Sequence, residues 1–276
     1  MLKLSKSFPE KRAFITGAGS GLGKALALHL AVEGWTVGMT DINESDLSSV
    51  VKQVTEKGGK ALPYVFDVSS REDFQAAAED FSNRKGGVDL VINNAGVGDG
   101  GQFTTYSLER WDWIIGINQM GVIYGCHYFL PMMYAAGKGQ VINISSAAGF
   151  ANSGGIASYN VTKAAVNALS ECLYYESAPK NVQVSVVMPT FFKTNIAQGW
   201  RGSERGKAGA QKLVDESGLE AAAVAEEILH RAGDGEFRIV LPKKARRLYR
   251  MVRFFPKMYQ KNRLKAAFNR LKNTRK

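Results

Sequence analysis

Apolar and polar positions alternate in blocks along most of this chain. Arg12–Thr16 is a short apolar run. A glycine-rich turn follows, and then Leu22, Ala25, Leu26, Leu30 and Ala31 recur at helical spacing up to Gly34. Further apolar runs fall at Trp35–Thr40, Leu62–Phe66, Val88–Ile92 and Val141–Ile144, with helical stretches among them. Short apolar strands alternating with helices predict an α/β fold, a doubly wound and mostly parallel sheet with helices on both faces. A length of 276 residues fits one such domain.

The first turn, Thr16-Gly17-Ala18-Gly19-Ser20-Gly21-Leu22-Gly23, joins a strand to a helix. Unpaired backbone N–H groups and the positive end of the helix dipole make such a place fit for a phosphate. The spacing is T-G-x-x-x-G-x-G, a variant of the general dinucleotide fingerprint. The second strand ends at Asp41, about 20 residues on, where an acid accepts from a ribose 2′-OH. A carboxylate there repels a 2′-phosphate, and its neighbours Ser20 and Ile42 carry no positive charge, which favours NAD over NADP. The plainer alternative is that Asp41 caps a helix starting near Asn43. Two later strands end in Asp67-Val68, with the acid placed to meet the adenine, and in Asn93-Asn94-Ala95-Gly96, whose small residues and amides suit the wall of a flat ligand or a hydrogen-bonded turn.

Ser145 and Ser146 close the strand Val141–Ile144, and Tyr159 and Lys163 lie four residues apart in the next helical stretch. That spacing stacks the two side chains on one face. A free tyrosine, with a pKa of about 10, is a poor base at neutral pH. A neighbouring ammonium favours its phenolate, so that it exchanges a proton with an alcohol or a carbonyl. Ser146 is placed to donate to the substrate oxygen. An isolated Y-x-x-x-K is common by chance; its position behind the glycine turn and Ser146 gives it weight.

With these motifs in this order, the chain resembles the short-chain dehydrogenase/reductase family from about Arg12 to about Val240. TGAGSGLG at 16–23, Asp67-Val68, NNAG at 93–96, Asn118, Ser146, YNVTK at 159–163 and the segment Pro189–Thr194 carry the resemblance. It implies a Rossmann-type subunit with a catalytic tetrad of Asn118, Ser146, Tyr159 and Lys163. Ser146 is preferred to Ser145 because the family's serine lies thirteen residues before its tyrosine. The resemblance further implies that Lys163 binds the nicotinamide ribose, Asn118 holds a water and Thr194 meets the carboxamide, with Asn94, Ala95, Gly96 and Pro189 beside the cofactor. One departure is Thr190 where the family usually has glycine, which bears on ring orientation or pocket width.

Charge changes the picture at one end. The net charge is +11, yet fourteen Lys or Arg and no acid lie from Leu241 onward. The first 240 residues hold 22 basic and 25 acidic groups, a net of −3. The expected organisation is a Rossmann-fold domain over 1–240 and a basic amphipathic tail over 241–276. Within the domain a cofactor half runs to about 120, a catalytic and substrate half covers 121–240, and a lid spans about 190–219. In the tail Leu248, Val252 and Phe255 form a narrow stripe, Pro256 breaks it, and Leu264, Phe268 and Leu271 repeat it among Lys261, Arg263, Lys265, Arg270 and Lys272. Basic, amphipathic and too short to span, this suits a helix lying on an anionic membrane. Subunit packing, a solvated extension and nucleic-acid binding compete with it, though no motif for sequence-specific nucleic-acid reading is present. Cys126 and Cys172 make no disulfide framework and read as buried thiols. The three histidines show no metal spacing. No run suits a signal peptide or a transmembrane helix, so the expected location is cytoplasmic, peripheral at a membrane if the tail binds one.

The substrate pocket implied by the resemblance is lined by 97–102, 147–154 and 191–219. Its third part opens with Phe191 and Phe192 and holds Trp200, which suggests a roomy apolar site or simply a lid packed on the body. The expected function is hydride transfer between NAD(H) and a lipophilic secondary alcohol or ketone, such as a steroid, retinoid-like or lipid-derived compound. An NADPH-dependent ketone reductase and a non-catalytic nucleotide-binding module tethered by its tail are the alternatives. A homodimer or homotetramer through the helices near 107–134 and 157–179 is implied by the resemblance, and Trp111, Trp113, Ile114, Ile115 and Ile117 make the first of these unusually apolar.

Overall fold

The computed structural model describes residues 1–274. Seven parallel strands form one sheet, β1 (Arg12–Thr16), β2 (Thr36–Asp41), β3 (Lys60–Val65), β4 (Leu90–Asn93), β5 (Gly139–Ile144), β6 (Val182–Pro189) and β7 (Arg238–Leu241), in the order β3-β2-β1-β4-β5-β6-β7. The order reverses between β1 and β4, where a crevice opens at the strands' C-terminal ends. Along β1 the pleat sends Ala13 and Ile15 to one helical layer and Phe14 to the other. Every strand but the edge β3 is largely buried, which is why the strands read as continuous apolar runs.

One layer contains α1 (Lys3–Ser7), α2 (Gly21–Val32), α3 (Glu44–Glu56) and α10 (Ala221–Gly233). The other contains α4 (Arg71–Lys85), α6 (Gly121–Ala136) and α8 (Ala157–Ser177). Local chemistry sets the helix ends. Asn43 and Ser70 cap α3 and α4 by accepting from Asp46 N and Asp73 N, and Gly86 ends α4 at φ 70°. The N-terminal stretch is part of the core. Leu2, Leu4 and Phe8 are buried, and the indole of Trp35 donates to Ser5 Oγ at 2.9 Å.

The helical region 108–136 is two helices, α5 (Leu108–Ile115) and α6, joined by a π-helical turn over Gly116–Met120. A short α7 (Ala148–Ala151) follows β5, and α9 (Glu204–Asp215) falls within the segment expected to be a lid. The tail is two helices, α11 (Lys243–Phe254) and α12 (Pro256–Thr274), broken at Phe255-Pro256 as the pattern predicts. Leu241 belongs to β7, so the domain edge lies slightly later than the charge boundary. The side chains of Arg270, Leu271 and Lys272, part of the second stripe, lie outside the described set. Cys126 is buried, whereas Cys172, expected to be buried, is exposed because it lies on the solvent side of α8. Among the described residues no helix is long and apolar enough to cross a membrane, and no cluster of His, Cys, Asp and Glu suits a metal.

Candidate active site

The glycine turn occupies the crevice between β1 and β4. Gly17 has φ +66°, and a Cβ on Gly23 would lie 2.0 Å from Gly17 O, so neither position accepts a side chain. Ser20 precedes α2 without a side-chain cap, and no acid occupies the helix's first turn. The N-terminal N–H groups of α2 are thus left to an anion. Thr16 Oγ1 accepts from Asn94 N and Ala95 N, and Asn94 Nδ2 donates to Thr16 O and Gly17 O, all at 2.9–3.0 Å. Thr16 and Asn94 therefore tie the turn to the end of β4.

A groove of about 530 Å³ runs from this turn across the ends of β2, β3 and β4. Of the predicted cofactor residues, Gly17, Ser20, Asp41, Asp67, Val68, Asn94, Ala95 and Gly96 line it. Asp41 accepts from Gly19 N at 2.9 Å and from Asn43 N at 3.0 Å. Asn43 caps α3 itself, so the capping alternative for Asp41 does not hold. Thr194 Oγ1 lies 3.0 Å from where a Cβ of Gly21 would be, across the mouth of the turn. Leu22 is core, and Pro189 ends β6 beside a separate small cleft. The uncapped helix start, the Cβ-free cradle and the acid at the end of β2 fit a dinucleotide.

Of the tetrad, Asn118 and Lys163 reach the groove at Gly96. Ser145 Oγ donates to Lys163 O at 2.8 Å and is consumed in holding β5 to α8. Ser146, the next residue, is free to face the site; its hydroxyl accepts from Ala148 N at 3.1 Å. Lys163 is buried, and its Nζ donates to Ile144 O at 3.0 Å. Asn118, fully buried in the π turn, accepts from Val97 N at 2.8 Å and donates to Val97 O and Thr162 Oγ1. Asn118 Oδ1 and Lys163 Nζ approach the same point above Gly96, each 3.2 Å from where its Cβ would stand.

The electrostatics differ from expectation. Burial raises the Tyr159 pKa, and the hydrogen bond with Ser146 pulls it back. Burial lowers the Lys163 pKa to about 8. The ammonium stands 5.8 Å from the centroid of the Tyr159 ring. The contact that lowers Tyr159 is Ser146, not Lys163.

Other groups here were not foreseen. Trp113 and Arg201 both line the groove, and the Arg201 guanidinium stacks 4.0 Å above the Trp113 ring, joining lid to wall. Asp99, fully buried, takes Arg110 on both oxygens at 3.0 and 2.7 Å and the Tyr106 hydroxyl at 2.6 Å. This cluster fixes the segment Gly98–Gly101, against which Trp200 packs. Phe192 is core and Phe191 is exposed, both border the small cleft, and neither lines the groove.

Known proteins resemble the chain in sequence and fold. The chain is 35% identical over 202 residues to a cyclohexanol dehydrogenase of Acinetobacter sp. (strain SE19), covering 73% of this chain and 80% of the relative. It is 36% identical over 190 residues, 68% of its length, to a probable oxidoreductase EphD of Mycobacterium tuberculosis, and spans 32% of that longer protein. A short-chain dehydrogenase/reductase of Burkholderia phymatum in complex with NAD superposes with a TM-score of 0.79 at 30% identity, over 83% of this chain and 88% of the other. A Sphingobium yanoikuyae enzyme in complex with NADPH gives 0.74 at 25% identity, over 84% and 88%. Residues 11–205 match the short chain dehydrogenase family, and the chain belongs to it.

Proposed function

We propose that the protein is an NAD(H)-dependent oxidoreductase that interconverts a lipophilic secondary alcohol and its ketone. The observation that carries this is the approach of Asn118 and Lys163 to one point above Gly96, a residue of the groove that fits a dinucleotide, with the Tyr159 ring centroid 5.8 Å from Lys163 Nζ. When bound, the dinucleotide exchanges a hydride with the substrate carbon. Ser146 holds the substrate oxygen, and Tyr159 takes the hydroxyl proton in oxidation or returns it in reduction. Lys163 and Asn118 connect Tyr159 to the ribose side of the groove. The groove residues named above would hold the cofactor, with Thr194 at the nicotinamide end.

Asp41 supports NAD, since its carboxylate lines the groove with Ile42 and Asn43 beside it. The NADPH-bound neighbour keeps NADPH-dependent ketone reduction as the second reading. Fluorescence titration with NADH and NADPH separates them. Tighter binding of NADPH would overturn the role given to Asp41. The likeness to a cyclohexanol dehydrogenase supports an alicyclic alcohol. Rates on cyclohexanol and longer cyclic and chain alcohols test this; turnover confined to hydrophilic polyols would refute the lipophilic part. Loss of turnover in Tyr159→Phe, with cofactor affinity kept, distinguishes a catalyst from a tethered nucleotide-binding module.

The tail supports attachment to an anionic membrane surface. Phe254, Phe255, Met258, Leu264 and Phe268 are 50–71% exposed among lysines and arginines. Pairing of two subunits through α5, α6 and α8 belongs to the same proposal, with Leu108, Val161 and Tyr175 exposed on that side.

A further inference from the structure

The second tail helix has two different faces. Tyr259 and Arg263, one turn apart, face the body. Tyr259 Oη donates to Ala151 O at 2.6 Å, and Arg263 Nη2 donates to Ser153 Oγ at 2.8 Å. At about 100° per residue, Leu264 lies about 140° and Phe268 about 180° around α12 from Tyr259. Both are exposed, at 60% and 62%, with Lys257, Lys261 and Lys265 between and beside them. One face is thus used inside the molecule, and the opposite face is basic, apolar and uncovered.

What the inner face holds is the connection from Ser146 to Tyr159. Upstream, Phe150 on α7 meets the Tyr249 ring of α11 edge-on at 5.1 Å. Downstream, Asn160 Nδ2 donates to Ser153 O at 2.7 Å, next to Tyr159. On its other side the connection is stitched to the Gly98–Gly101 segment by Gly101 N to Gly155 O at 2.8 Å. Asn152 and Gly155, both at positive φ, bend the segment.

We propose that α12 is a coupling strap. Its outer face docks on an anionic lipid surface, while Tyr259 and Arg263 transmit that docking to residues 147–156 at the substrate mouth. Tyr259 and Arg263 are positioning residues. The proposal rests on the membrane reading above and extends it from a tether to an effect on the site. Charge complementarity selects the occupant, since the tail carries fourteen cations and no acid and the exposed apolar positions lie among them. Binding linkage is reciprocal, so a lipid surface that steadies the mouth is itself bound more tightly when the mouth is filled.

The test is hydrogen exchange of the full chain with vesicles of phosphatidylglycerol and phosphatidylcholine, and with phosphatidylcholine alone, alongside sedimentation. Anionic vesicles are expected to carry the protein down and to slow exchange across 147–156. One hydrogen bond steadied there corresponds to about two- to tenfold protection. The double variant Tyr259→Phe, Arg263→Ala is expected to sediment as before but to lose the vesicle-dependent protection of 147–156. Sedimentation with protection confined to 243–274 would overturn the coupling and leave the tail as a tether. Failure to sediment, with the tail instead protected as protein concentration rises, would overturn the lipid occupant in favour of a second copy's acidic body.

Discussion

Replacing Lys163 with methionine is expected to make the folded protein more stable at neutral pH while removing its activity. Methionine keeps the length of the stem and discards the charge. Burial depresses the lysine from 10.5 to about 8. At about 1.4 kcal/mol per pKa unit, the folded state carries a penalty of about 3 kcal/mol for the ammonium. The bond from Nζ to Ile144 O is lost in the variant and offsets about 1–3 kcal/mol of that. The net gain at about pH 7 is therefore between about 0 and 2 kcal/mol, or up to about 4 °C in Tm.

The pH dependence is the sharper measurement. Below the folded pKa of about 8, Lys163 is charged in both states and the whole penalty is felt. Between about 8 and 10.5 the unfolded chain binds more protons than the folded one, so stability rises with pH in this window. Wild type should recover about 2 kcal/mol between about pH 7 and 9.5, and the variant should not. Other titrating groups are common to both proteins and cancel in the difference. Thermal melts of both across this range are the assay. A Tm difference that stays constant or widens with pH would refute a depressed lysine at this position.

Three further outcomes follow from the geometry. Gly23→Ala places a Cβ 2.0 Å from Gly17 O, backbone against which nothing can yield, so NADH titration should show binding lost. Arg201→Ala removes the stacking on Trp113, worth about 0.5–2 kcal/mol, and should speed NADH release about two- to thirtyfold in stopped flow. An unchanged rate would mean that the pair does not hold the lid. A thiol reagent should label Cys172 in the folded protein and reach Cys126 only in denaturant, since Cys126 is buried with its pKa pushed up to about 12.

The parts legible in the sequence were those whose physics is local. β1 and β2 are apolar runs because both faces of a parallel strand are covered, and their predicted ends fall within a residue of the observed ones. The glycine turn and Tyr159/Lys163 are readable because backbone approach and helical stacking act over a few residues. Trp113 looked like surplus apolar surface and is instead a wall of the groove, through a contact to Arg201 far away in the chain. The Asp99, Tyr106 and Arg110 cluster carries no spacing rule, since its members meet only once the segment after β4 folds onto α5. The five-residue α1 is too short for periodicity, and its apolar positions gain meaning only against Trp35 and α10.

The electrostatic expectation failed for a reason that bears on direction. Burial acts on both members of the Tyr159 and Lys163 pair, and each is pushed toward its neutral form. A neutral phenol is the form that donates a proton to a carbonyl oxygen, whereas oxidation of an alcohol needs the phenolate. Tyr159 is therefore held as the phenol at neutral pH, and its phenolate fraction grows as pH rises toward the raised pKa. With one substrate pair, kcat/KM for oxidation should climb from about pH 7 to 9.5, while that for reduction stays nearly level because the phenol remains protonated below its raised pKa. Ser146→Ala removes the bond that pulls the Tyr159 pKa down, so its oxidation profile should shift to higher pH in addition to losing rate. An oxidation profile already flat at about pH 7 would mean that Tyr159 ionises well below its ordinary value, and that Lys163 outweighs burial after all.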